Sequence, residues 1–135
     1  QDETVLIDNR FYLVGRQDAS EELDFGDGRA TAADEPAAKT EKYAIVLDHQ
    51  PRDYTAEAQT NADLVLSGRT HGGQMIPLMQ FMRWFHLGED NIYGLERHNN
   101  TDFIVTSGIS HWAMQFKTGC ISEYVMITIK GPQSN

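Results

Sequence analysis

Two stretches of the chain, Tyr43-Ala-Ile-Val-Leu47 and Asp63-Leu-Val-Leu-Ser67, are continuous apolar runs with no polar alternation. A strand that is half exposed alternates; a run like these suits a strand covered on both faces, as at the centre of a parallel sheet. Between the runs, Pro51 stands near an expected helix start, and Tyr54, Ala58 and Ala62 recur at the four-residue spacing of a buried helical stripe. The 15 residues from Asp48 to Ala62 suffice for a crossover between parallel strands. A right-handed βαβ unit is therefore expected.

The flanking segments read differently. Thr4 to Ile7 and Phe11 to Gly15 are short β-prone runs around Asp8-Asn9-Arg10, which suits a hairpin forming an edge ribbon. Asn91 to Arg97 and Asp102 to Ser107 flank His98-Asn99-Asn100-Thr101 and predict a second hairpin, and Glu123 to Ile129 alternates like a last strand. Leu78 to Leu87 suits a short helix with apolar residues on several sides. The stretch Gly68-Arg69-Thr70-His71-Gly72-Gly73-Gln74 is too rich in glycine to continue a regular element. Residues 17–41 form a long acidic loop, read either as a solvated connection or as a cover over a substrate site, and 131–135 are a plain tail. The whole of 1–135 is expected to be a single domain of mixed α/β or α+β class, without internal repeats or heptads.

Charge and cysteine content narrow the chemistry. Eleven Lys and Arg against 20 Asp and Glu give a net charge of −9. Residues 1–63 hold 15 acids and six bases and residues 64–135 hold five of each, so the imbalance belongs to the first half. A surface that displaces counterions from phosphates needs the opposite excess, so nucleic acid is disfavoured and not expected as a partner. Cys120 is the only cysteine, which rules out an internal disulfide or a cysteine-based zinc site, and it reads as buried and inert. No apolar run reaches the roughly 18 residues of a spanning helix. The chain opens on Gln1 without a start methionine or signal-peptide pattern, so an excised piece of a longer protein is expected.

Two of the five histidines fall at informative places. His49 follows the first central strand directly, and His71 comes four residues after the second. Parallel pairing brings both to the carboxyl edge of one sheet, where open α/β sheets build their sites. Neighbouring strands lie about 4.8 Å apart, so imidazoles on adjacent strand ends can share a cation. On spacing alone the competing reading, two surface or hydrogen-bonded histidines, leads over a metal site.

The literal sequence adds to this. Asp48-His49-Gln50-Pro51 and Asp63-Leu-Val-Leu-Ser-Gly-Arg-Thr-His-Gly-Gly-Gln74 resemble the last two metal-binding motifs of the calcineurin-like metallophosphoesterases, in the bacterial branch whose closing motif is Gly-His-Thr-His-Gly-Gly-Gln. Tyr12-Leu-Val-Gly-Arg-Gln-Asp18, Ser107-Gly-Ile-Ser-His-Trp112 and Cys120 to Ile129 are also similar to segments of that branch, so the resemblance runs from about Phe11 to Lys130. It implies the C-terminal half of a two-sheet β-sandwich flanked by helices, with a two-metal centre at the strand ends. The family's earlier motifs, which supply the bridging aspartate, the asparagine and the catalytic histidine, do not occur in this chain. By the resemblance His49 is a ligand of the second metal and His71 of the first, in a hydrolase of phosphate mono- or diesters using Mn, Fe, Zn or Co. Asp48 is a candidate acceptor for the other ring N–H of a ligating imidazole, or a cap on the following turn. Gly72 and Gly73, with Gly68, let the backbone approach ions and phosphate.

Arg69 departs from the family pattern, standing where the motif has a metal-binding histidine. Guanidinium stays protonated and cannot coordinate a cation. Three explanations stand side by side: a one-metal enzyme in which Arg69 clamps phosphate, a homologue without activity, or an alteration of the natural sequence. The resemblance implies that this piece alone is inactive and that its partners are the missing N-terminal half and a phosphoester substrate. It also allows a homodimer of the piece and a cytoplasmic or membrane-associated parent, anchored by an N-terminal segment. The alternative is a degenerate homologue serving as a binding or assembly module. His86, His98 and His111 read as structural or exposed, with His111 the strongest exception. The cluster Met75, Met79, Met82, Phe81, Trp84 and Phe85 suits packing against the missing half, a lipid-facing surface or an ordinary exposed patch.

Overall fold

In a computed structural model, the structure describes residues 3–16, 42–50, 54–68, 84, 93–109 and 121–131. These residues form a six-stranded mixed sheet. Its strands are β1 (Glu3–Ile7), β2 (Phe11–Gly15), β3 (Tyr43–Leu47), β4 (Leu64–Ser67), β5 (Gly94–His98) and β6 (Thr101–Val105), with a one-turn helix α1 (Tyr54–Glu57) between β3 and β4. The spatial order is β1-β2-β3-β4-β6-β5. The four inner strands run parallel, and β1 and β5 close the two edges as antiparallel hairpin partners of β2 and β6.

Both expected hairpins are present, and their turns show why these residues were needed. Asp8 and Asn9 have φ of 47° and 54°, and the Arg10 amide donates to the Ile7 carbonyl at 2.9 Å. Two successive residues at positive φ make a turn of the primed type, whose twist matches that of the strands, and Asp and Asn tolerate that conformation best after glycine. At the second hairpin Asn99 has φ 55° directly after His98, and its side-chain amide donates to the Ala58 carbonyl at 3.3 Å.

The parallel register aligns Val14, Val46, Val65 and Phe103 in one row across the sheet. Against this face pack Tyr54, Ala58 and Ala62, the stripe anticipated from their spacing, all buried. Tyr54 stacks on Phe103 with ring centroids 4.0 Å apart, and His98 meets both rings edge-on. The opposite face carries Leu13, Ile45, Leu64, Leu47, Leu66 and Ile104. Ile45 and Leu64 are buried there, whereas Leu47 is 40% exposed. Asp63 stitches the entry to β4: its carboxylate accepts from the Ala44 amide at 2.8 Å, and its own amide donates to the Ala44 carbonyl at 3.0 Å.

One sequence expectation fails. Glu123 to Ile129 has the alternation of a strand, yet residues 121–131 form no strand. Tyr124 and Met126 are more than 80% exposed, so their apolar side chains gain nothing from a sheet. Alternation supplies two faces, but a strand also needs a neighbour to receive its amides and carbonyls. Among the described residues the sheet is mixed and single, compatible with an α+β class; a second sheet of a sandwich is not among them. The acidic loop 17–41, the 78–87 helix apart from exposed Trp84, Cys120, His86, His111 and the tail beyond residue 131 lie outside the described residues. No helix among the described residues is long and apolar enough to cross a membrane.

Candidate functional site at the carboxyl edge

Because β2, β3, β4 and β6 are parallel, the residues that follow them emerge at one edge of the sheet: Arg16, Asp48 with His49, Gly68, and Thr106 with Ser107. The ladder continues past the strand ends. The Arg16 amide donates to the Leu47 carbonyl at 2.9 Å, the Asp48 amide to the Leu66 carbonyl at 3.1 Å, and the Gly68 amide to the His49 carbonyl at 3.4 Å. The start of the glycine-rich stretch is thus fastened to the backbone of His49.

His49 is exposed between two residues, Asp48 and Gln50, that are each 1% exposed. Asp48 is held from two sides. One carboxylate oxygen, Oδ1, accepts from the Gln50 amide at 3.0 Å, an Asx-type turn that brackets His49, and Oδ2 accepts from Arg16 Nη1 at 2.9 Å. The same Nη1 donates to Glu57 Oε1 at 2.6 Å, so a single buried guanidinium serves two buried carboxylates on β3's end and α1. Burial, reinforced by the negative charge of Asp48, outweighs the guanidinium and pushes the Glu57 carboxyl up to about 8.

A second anchor stands at the end of β6. Glu123 Oε1 accepts from the Ser107 amide at 3.1 Å and the Thr106 hydroxyl at 3.2 Å, while Oε2 accepts from the Tyr93 hydroxyl at 2.8 Å. The Ser107 hydroxyl donates to the Ile121 carbonyl at 2.8 Å. The Tyr93 hydroxyl and these further bonds hold the Glu123 carboxyl below its ordinary range.

Of the residues singled out from sequence, His49 and Asp48 stand together at this edge, with Gly68 beside them. His71, Arg69, Gly72 and Gly73 lie outside the described residues. An exposed imidazole on a rigid base has the donor chemistry that a borderline divalent cation accepts. Among the described residues no three His, Cys, Asp or Glu side chains gather into a metal cluster. Sequence reasoning missed Arg16 and Glu57. Arg16 stands directly before the acidic stretch, which hides its role; the available signal is its place directly after a strand paired to the one that precedes Asp48. Glu57 lies one position before Ala58 of the buried stripe, where a charged residue reads as solvated.

No family model matches the chain, and no solved structure matches it. Three bacterial proteins do. A Campylobacter jejuni protein named as an uncharacterized metallophosphoesterase is 36% identical over 93 residues, 68% of this chain and 24% of that protein. Two Helicobacter pylori proteins of the same description, from strains J99 and 26695, are 32% and 31% identical over 90 residues, 65% of this chain and 24% of theirs. The chain spans about a quarter of the length of these relatives. Over about two thirds of its own length, this carboxyl-edge β-sheet chain is therefore similar to proteins named metallophosphoesterases.

Proposed function

We propose that the protein to which this chain belongs is a metal-dependent hydrolase of phosphate mono- or diesters, in which His49 and His71 are metal ligands. The observation that carries this reading is the seating of His49: an exposed imidazole on a buried base, at the carboxyl edge of parallel strands, in a chain similar to metallophosphoesterases. The Gly68 amide on the His49 carbonyl supports it further, since three residues of chain span at most about 11 Å. The reading takes His71, three residues after Gly68 in the sequence, as the second ligand. Divalent cations bound there would supply Lewis-acid chemistry, polarising the ester and acidifying a water. This chain's own groups do the rest: Arg69 clamps a phosphate oxygen pair bidentately, and Gly72 and Gly73 admit the phosphate close to the backbone. Asp48 keeps the backbone under His49 fixed. The native metal is one of Mn, Fe, Co and Zn, which imidazole suits.

The full natural polypeptide, assayed for metal content and for hydrolysis of bis-p-nitrophenyl phosphate, tests the reading. His49→Ala and His71→Ala should each lose bound metal and at least tenfold in rate. Full metal stoichiometry and parental rates in both variants refute it. The 135-residue chain by itself should show no phosphodiesterase rate, because two imidazoles without bridging carboxylates do not hold a pair of ions.

A second reading, a non-catalytic assembly module, is favoured by one feature. The sheet face bearing Leu47 and the segment from Tyr124 to Ile129 leave apolar side chains partly uncovered, as a surface awaiting the rest of a protein or a second copy would. Metal-free, inactive full-length protein that still associates through this face would select that reading.

A further inference from the structure

We propose that Arg16 is a positioning residue for His49, fixing the turn that presents its imidazole; this rests on the ligand role proposed for His49 above. The geometry is specific. Arg16 is tied by its backbone amide to Leu47, the last residue of β3, and by Nη1 to Asp48, the residue immediately before His49. The other oxygen of Asp48 holds the Gln50 amide, immediately after His49. Glu57, brought in by α1, accepts from the same Nη1. His49 is therefore the exposed middle residue of a three-residue turn whose two flanks are buried and bound to one guanidinium network. The guanidinium stays charged when buried and its Nη1 meets both carboxyl groups at once, whereas the strongly hydrated ammonium of a lysine, on a shorter stem, is a poorer match. Breaking the network lets the turn relax, and an imidazole displaced by an ångström ceases to match a fixed coordination geometry.

The test titrates Mn²⁺ by calorimetry into the full natural polypeptide and into its Arg16→Lys, His49→Ala and doubly substituted forms, with circular dichroism reporting the fold. Arg16→Lys should fold and bind Mn²⁺ at least tenfold more weakly. The double variant should bind no more weakly than His49→Ala alone, because the arginine acts through that imidazole. A merely structural arginine would lower the melting temperature and leave the affinity untouched. Parental affinity in folded Arg16→Lys, or losses that add in the double variant, overturn the positioning role. If Arg16→Lys does not fold, Arg16→Gln/Asp48→Asn/Glu57→Gln replaces every charge of the cluster by an amide: weakened Mn²⁺ binding supports the role and parental binding overturns it. Unchanged affinity in His49→Ala instead overturns the ligand reading on which the inference rests, and so separates the two failures.

Discussion

Glu57 makes the folded protein's stability depend on pH in a direction opposite to that of most carboxylates. Its carboxyl is raised from 4.5 to about 8 by burial and by the charge of Asp48, against the pull of Arg16. Between those values the native state holds a proton that the unfolded chain has released, so stability falls as pH rises through the window. The full difference corresponds to about 5 kcal/mol, and roughly half of it develops between pH 5 and 7. That is a large share of a domain stability of roughly 5–15 kcal/mol. Glu57→Gln keeps an oxygen to accept from Arg16 but has no proton to lose, so its stability should decline less over the same range. Urea unfolding of both proteins at pH 5, 6 and 7, followed by far-ultraviolet circular dichroism, measures the difference. Curves that shift with pH by the same amount in parent and variant would refute the reasoning, because every other titrating group is common to both.

Two further outcomes follow from the packing and from the second anchor. Phe103→Ala empties a fully buried site stacked on Tyr54 and should cost about 3–5 kcal/mol, read as a lower urea midpoint with an unchanged slope. Glu123, held below its ordinary range, contributes stability that is present above its unfolded value and lost as pH falls through its folded one. Hydrogen exchange should accordingly show the protection factor of the Ser107 amide falling in acid, a dependence that Glu123→Gln abolishes.

The parallel core was legible because its residues leave few choices. Tyr43 to Leu47 and Leu64 to Leu66 are apolar at every position, which suits a strand covered on both faces, and the Tyr54-Ala58-Ala62 spacing named the side chains that cover one face. The hairpins were legible through Asp8, Asn9 and Asn99, which accept positive φ at small strain. The placement of His49 at a carboxyl edge followed from that topology alone. What a sequence does not display is a partner many residues away. The segment from Glu123 to Ile129 has strand-like alternation but no receiving edge among the described residues, and the local pattern carries no information on that point. Arg16 stayed hidden for the same reason: its two carboxylates lie 32 and 41 residues further on, and only the folded sheet brings them to one guanidinium.

The Arg16 amide on Leu47 and the ion pair to Asp48 also close a loop of chain that leaves the end of β2 and returns along β3 to its end. For a chain closed by such a clasp, the entropy of closure grows only logarithmically, about 0.6 kcal/mol for each doubling of length. Insertions or deletions between Gln17 and Glu41 should therefore leave strand register and the perch of His49 intact. Natural variants could differ widely in that span while keeping the same carboxyl edge.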